Sequence, residues 1–457
     1  MSDEIARMLA AYTSGITVDR LPNETVHEVE RRVLDSIGVA IAALDQDSPT
    51  AARRYAAANP GDVTVWGTDL RAAPEAAGFA NGVAVRYLDF NDTYLSREPL
   101  HPSDVIPALV ALAESRAVAA RELIAAIAVA YEVGVTLCDA ASLRAHGWDH
   151  VNYIAVAVAC GAGRLLGLEP ERIEHAISIA VVPHAAMRQT RAGELSMWKG
   201  AAAANSARNA IAATLLAEAG MTGPFEPFEG EMGFFRQLLG GERFDEAAFG
   251  PLRAGEPPRR ILDTYVKRWP VEYHAQSAVD AALRLRDELG DPARIDTVRI
   301  DTFGASYQII AKDPEKWDPK TRETADHSIQ YIVCAALQDG AVTSRTFDLA
   351  RIRRPDTLEL LQGRTTVHED AALTAGYPEG IPNRITVTTT DGATLVWEVA
   401  HPRGHARNPM TDEEIALKYR ANVAGRWDDA RAARLEAAAW SLHDDGGLDR
   451  LLEELGR

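Results

Sequence analysis

Helical periodicity fills the first half of this sequence and then gives way to another pattern, and that change constrains the fold more than any other feature. Residues 25–43 place Val26, Val29, Val33, Ile37 and Ile41 at the spacing of one helix face. Residues 106–118 and 121–136 follow, and 152–166 ends at Gly167, with Pro170 opening the next helix at a first-turn position. Residues 201–220 are an alanine-rich helix ending in glycine. The segment 244–259, with Pro251, Pro257, Pro258, Gly250 and Gly255, reads as a linker. Beyond it, 296–303 alternates as a strand and 384–400 reads as a hairpin turning at Asp391-Gly392. Helices are expected at 275–289 and 327–337. After 401–409 the helical pattern returns, with Thr411 and Glu414 spaced as a capping box. A chain of 457 residues exceeds a typical single core. The expected fold is therefore mainly α with a smaller α+β domain: an all-helical domain from residues 1–254 and 406–457, and an inserted α+β lid over 255–405. The seam between them is the expected site.

Composition excludes several partners. Hydrophobic residues make up 47% and charged residues 25%, ordinary for a globular chain, and alanine suits closely packed helices. A formal net charge of −18 argues against nucleic acid and against an anionic membrane surface. The start lacks a basic segment followed by an apolar core, so no secretory signal is expected. The longest apolar runs, such as 153–163, fall short of the ~20 residues that span a bilayer, so a cytoplasmic protein is expected. Cys138, Cys160 and Cys334 lie in apolar helix-like sequence without Cys-x-x-Cys spacing. They read as reduced core residues, and chemistry without an iron–sulfur cluster or other cofactor is expected.

Polar groups crowd between Arg86 and Asp104. Asp89 and Thr93 share a face if the preceding helix continues through them, and His101, before Pro102, is biased to an extended backbone. Two readings stand side by side. One is a carboxylate, a hydroxyl and an imidazole converging for proton transfer; the other is a cluster that caps a helix and shapes a turn.

Tyr87-Leu88-Asp89-Phe90-Asn91-Asp92-Thr93, followed by His101-Pro102-Ser103-Asp104, resembles the signature of the MmgE/PrpD family. That family comprises 2-methylcitrate dehydratases, cis-aconitate decarboxylases and iminodisuccinate epimerases. Met197-Trp198-Lys199-Gly200, Glu229-Gly230, Glu272-Tyr273-His274-Ala275-Gln276-Ser277 and Asp326-His327-Ser328-Ile329-Gln330-Tyr331 match it in the same order over almost the whole chain. The resemblance implies the same helical and α+β division and association into dimers. It implies that Lys199 is the family's active-site lysine and that His274 belongs to the site from the second domain.

A hydroxy-tricarboxylate loses water when a base removes a proton next to a carboxylate, cations stabilise the developing charge and an acid protonates the hydroxyl. The catalytic set expected here is Asp89, Thr93, His101, Lys199, His274 and Tyr331. Asp92, Ser103, Gln276, His327 and Ser328 are expected to contact the substrate. Lys199 and the helix start at 327–331 would hold carboxylates. His101 and His274 would move protons in interchangeable roles, giving a bell-shaped pH–rate curve near neutrality. Asp89 and Thr93 would orient a histidine or handle the hydroxyl. His146 and His150, spaced i,i+4 across Gly147, lack an obvious third ligand, and no metal is expected. The wording of the motifs resembles the dehydratases more than the decarboxylases, although Val105 stands where dehydratases often carry asparagine. The expected activity is dehydration of 2-methylcitrate or a close relative. Decarboxylation, epimerisation and a non-catalytic polycarboxylate-binding protein are the alternatives.

Overall fold

The computed structural model describes residues 3–193 and 195–456. One large apolar core gathers side chains from Ile5 to Val266 and again from Met410 to Leu455. A second core runs from Val271 to Val387. The chain thus leaves the helical lobe, builds an α+β lobe, and returns. Residues 244–259 differ from the linker reading. Phe244, Phe249 and Leu252 are buried in the helical core, because that segment's prolines and glycines separate short helices rather than a free tether.

The centre of the helical lobe is the helix Ala120–Ala140. It is long and apolar enough to cross a membrane, which the sequence reading missed, but nearly all of it is buried inside the protein. Its neighbours pack closely because small residues face one another. A Cβ on Gly161 would lie 2.9 Å from the Ala126 carbonyl.

The same device positions the site. Pro74–Tyr87, opened by proline at its first turn, packs against Trp198–Glu218. A Cβ on Gly82 would lie 2.9 Å from the Ala204 Cβ, and one on Gly200 would lie 3.3 Å from the Tyr87 Cα. The end of the first helix is therefore clamped against the start of the second. Lys199 sits inside that first turn, not before it.

In the α+β lobe a four-stranded sheet runs in the order Thr365–Glu369, Ile295–Thr302, Asn383–Thr389, Thr394–Val399. The last two form the expected hairpin. Thr365–Glu369, parallel to Ile295–Thr302, was not anticipated; its short sequence carries no strict alternation. Gln276–Leu289 and Ile329–Asp339 cover one face of the sheet. The Thr411/Glu414 capping box forms as its spacing predicts.

Candidate active site

The helix Pro74–Tyr87 stops two residues before Asp89, whose φ is 51°. This left-handed turn is rare for a residue with a Cβ and overturns the shared helix face proposed for Asp89 and Thr93. Thr93 instead pairs as an antiparallel bridge with Tyr265, and its Oγ1 donates to the Leu100 carbonyl at 3.0 Å. The turn aims Asp89 into a nest of cations. Arg86 Nη1 donates to Oδ1 at 2.9 Å, Lys199 Nζ to Oδ2 at 3.0 Å, and Lys267 Nζ to Oδ1 at 2.5 Å. Lys267 also donates to the Asp89 carbonyl at 3.0 Å. Burial alone would raise the Asp89 pKa, but Arg86, Lys199, Lys267 and His327 together hold it well below the carboxylate range.

The α+β lobe meets this nest directly. His327 Nε2 lies 3.6 Å from Asp89 Oδ2, and Lys199 Nζ lies 3.5 Å from Asp326 Oδ1. His327 Nδ1 is 2.5 Å from Asp326 Oδ1 and 3.3 Å from Lys199 Nζ. A carboxylate only accepts, so Nδ1 carries its proton toward Asp326, and Lys199 lies beside it without donating. Asp89, Asp326 and His327 bring ligand atoms within 4.8 Å of one another, a spacing that would suit a metal. The Lys199 ammonium stands among them and supplies the positive charge there.

Two histidines flank the nest in different environments. His101 Nδ1 must donate to the Asp92 carbonyl at 2.8 Å, leaving Nε2 as a lone pair. Burial, reinforced by Arg86 and Lys267, holds its pKa well below the usual histidine value. His274 Nδ1 faces Glu272 Oε1 at 2.7 Å, and Glu272 Oε2 accepts from the His274 amide at 2.7 Å. Glu272 is buried, which would raise its pKa, yet His274, His327 and Lys267 bring it down to about 2. The Glu272 amide donates to the Asp326 carbonyl at 2.9 Å, tying His274 to the nest. Arg86 Nε, Asp104 Oδ2, His150 Nε2, His274 Nε2 and Asp326 Oδ2 are buried with no protein hydrogen-bond partner. Arg86 Nε and Asp104 Oδ2 face each other at 3.9 Å as an ion pair, which leaves His150 Nε2, His274 Nε2 and Asp326 Oδ2 open to a further polar partner.

Several expected contacts are committed elsewhere. Tyr331 Oη donates to the Thr346 carbonyl at 2.5 Å inside the second core, because its helix turns it toward Phe347. Ser328 caps that helix by accepting the Tyr331 amide, and its hydroxyl donates to the Lys316 carbonyl. Gln276 is held by the backbone of Trp269 and Val271. Asp92 accepts from the Ser103 amide at 2.8 Å and from Tyr131 Oη at 2.7 Å, and Ser103 Oγ accepts from Asn91. The polar groups of Thr93, Tyr331, Gln276, Ser328, Asp92 and Ser103 are therefore engaged by protein partners.

Other residues escaped the sequence reading. Arg86 and Lys267 complete the cation nest, and Lys267 is fully buried beside exposed Arg268. No local pattern marks it, because Val266 and Lys267 are both buried while Arg268 is exposed. The His150 ring lies tilted at 5.9 Å from that of His101, and burial with Arg191 nearby lowers its pKa to about 3. Asp104 is pushed up to about 7 by burial. Cys138 and Cys160 belong to the helical core and Cys334 to the second, so they do not converge.

The family model for the MmgE/PrpD N-terminal domain matches residues 7–247, and that for the MmgE/PrpD C-terminal domain matches residues 269–444. The chain belongs to the MmgE/PrpD family. It is 30% identical to a 2-methylcitrate dehydratase of Cupriavidus necator, over 89% of this chain and 87% of that protein. It is 28% identical to a cis-aconitate decarboxylase of Homo sapiens, over 94% and 90%. An alkylcitrate dehydratase of a fungal species is 26% identical over 96% and 92%. The C-terminal MmgE/PrpD match runs past the sheet into helices that rejoin the first core. This MmgE/PrpD protein shares the lyase class of those relatives.

Proposed function

We propose that this protein is a cofactor-independent hydro-lyase that removes water from 2-methylcitrate or a closely related hydroxy-tricarboxylate. The observation that carries the reading is the cation nest at the lobe seam, flanked by two histidines in opposed electrostatic settings. Lys199, Lys267 and Arg86 offer positive charge to substrate carboxylates within a chain that is strongly anionic overall. Lys267 spends two of its three N–H groups on Asp89 and keeps one for the substrate. His101, held neutral with Nε2 as its lone pair, takes the proton next to a carboxylate. The electron pair forms the new double bond as the hydroxyl leaves. His274 donates a proton to it, and Glu272 lies where the imidazolium charge needs compensation. An unsaturated tricarboxylate and water result. Asp89 orients Lys199 and Lys267. In this reading the base role goes to His101, whose Nε2 is the lone pair, and the acid role to His274, whose Nδ1 faces Glu272.

The relatives' names support this class of reaction, and two of the three just described are dehydratases. Cytoplasmic location and a homodimer belong to the same reading. An apolar surface of Tyr55, Met187, Met197 and Trp198 beside the Lys199 turn offers a face for a second copy. Incubation with 2-methylcitrate, citrate and cis-aconitate, followed by product mass, tests the reaction. Loss of water from 2-methylcitrate is expected. Loss of carbon dioxide from cis-aconitate alone would replace it with a decarboxylase, and unchanged substrates would leave a binding protein.

A further inference from the structure

A cavity of about 390 Å³ opens on the far side of the segment that carries Lys267. Its walls come from both lobes: Phe90, Arg268 and Trp269 on the seam, Ser344 from the α+β lobe, and Leu417 and Asn422 from the returning helix Asp412–Val423. None of the nest residues lines it. The backbone explains why. Lys267 points inward to Asp89 and its neighbour Arg268 points outward; Asp89 turns into the nest and its neighbour Phe90 faces the cavity.

The polar groups of this cavity are unevenly committed. Lys418 is consumed by Asp35 at 2.7 Å and by the Phe90 carbonyl at 2.8 Å. Glu414 is clasped by Arg403, whose hydrogen bonds lower its pKa to about 2. Arg268, by contrast, has no carboxylate within ion-pair distance among the described residues, and lies 5.1 Å from the centre of the Trp269 ring. Asn422 Nδ2 is buried with no acceptor in the protein. The Trp269 ring is a fixed wall, because its Nε1 donates to Asp280 at 2.8 Å. A guanidinium over the Trp269 ring that feels Asp280 but makes no direct ion pair, an unpartnered amide and a rigid aromatic wall in a largely apolar cavity favour a ligand with one negative charge and an apolar body.

We propose that this cavity is a second small-molecule site, distinct from the nest, that takes an amphipathic monocarboxylate with an aryl or branched-alkyl body. Such an occupant touches the residues next to Asp89 and Lys267 and bridges the two lobes, so it shifts turnover without displacing substrate. That effect on turnover rests on the hydro-lyase reading; the site does not. Binding is therefore read directly, by calorimetric titration of the full chain with 4-phenylbutyrate.

Saturable one-to-one binding is expected. Arg268→Gln should weaken it at least about tenfold, roughly 1.4 kcal/mol. Leu417→Trp should abolish it by filling the mouth, and Leu417 is 53% exposed, so the larger ring leaves the fold intact. Uncharged 4-phenylbutanol should bind at least about tenfold more weakly than the acid. Saturation with citrate should leave the affinity for 4-phenylbutyrate within about twofold. Absence of saturable heat overturns the proposal, as does full binding by both variants. Displacement by citrate overturns it too, because it would make the cavity part of the substrate site. Failure of the dehydratase assay alone leaves every binding result standing.

Discussion

Lys267 shows how one side chain sets the electrostatics of the whole centre. Its ammonium is buried, which lowers its pKa, yet two bonds to Asp89 keep it in place. Replacing it with methionine leaves Asp89 with Arg86 and Lys199 and removes one substrate-facing charge. We expect Lys267→Met to lower kcat/KM about 10²- to 10³-fold with little change in secondary structure, measured by steady-state kinetics and circular dichroism. His101 gives a second prediction. A base works when unprotonated, and burial with Arg86 and Lys267 depresses the pKa of this one. The acidic limb of the kcat/KM profile should fall well below the ordinary histidine value of about 6.5. A limb at or above that value would remove His101 as base. Asp104 and Glu98 act on stability instead. Burial pushes both to about 7, so in this window the folded chain binds more protons than the unfolded one. Stability should therefore fall as pH rises from about 4 toward 7, the stretch between their unfolded and folded values, and stay low above it. Asp104→Asn should remove part of that slope, read as Tm against pH.

At the scale of elements, glycine decides whether the nest exists. The helices Pro74–Tyr87 and Trp198–Glu218 approach until Gly82 leaves no room for a side chain against Ala204. Gly82→Val would force them apart, at a cost of about 1–3 kcal/mol. It would also draw Asp89 from Lys199, so activity should fall further than the loss of Tm implies; activity retained in full would show that this clamp does not set the site. Much at this scale was legible in the sequence. Helical spacing, the hairpin at Asp391-Gly392 and the Thr411/Glu414 box follow from local rules, and each is present. The motif residues Asp89, Lys199, His101, His274 and His327 also gather at the seam. The uses of Tyr331, Gln276 and Ser328 were not legible. Their i+3 and i+4 spacings say which residues are neighbours on a helix, but not which way that helix faces in its lobe. Arg86 and Lys267 were missed for the complementary reason: a cation looks solvated until the tertiary fold brings a carboxylate to it.

For the whole molecule, the unresolved economy is on the outside of the helical lobe. Met187 is 65% exposed, Met197 49%, Trp198 47% and Tyr55 44%, and Trp198 borders two neighbouring grooves on this face. Isolated apolar side chains on a surface need no explanation, but contiguous ones beside an active-site turn do. A second copy of the chain covering this face would bury Trp198 and brace the first turn that holds Lys199. Light scattering should then give a dimer mass for the native chain. Trp198→Glu would place two like charges and a desolvated carboxylate at a symmetric contact, and should shift the mass to that of one chain. Because the adjacent turn loses its brace, the monomer should also show a raised KM, with kcat recovering less than fully at saturating substrate. A native chain that elutes as a monomer at every concentration tested would remove the partner from the description, and Lys199 would then owe its position to the Gly82 and Gly200 contacts alone.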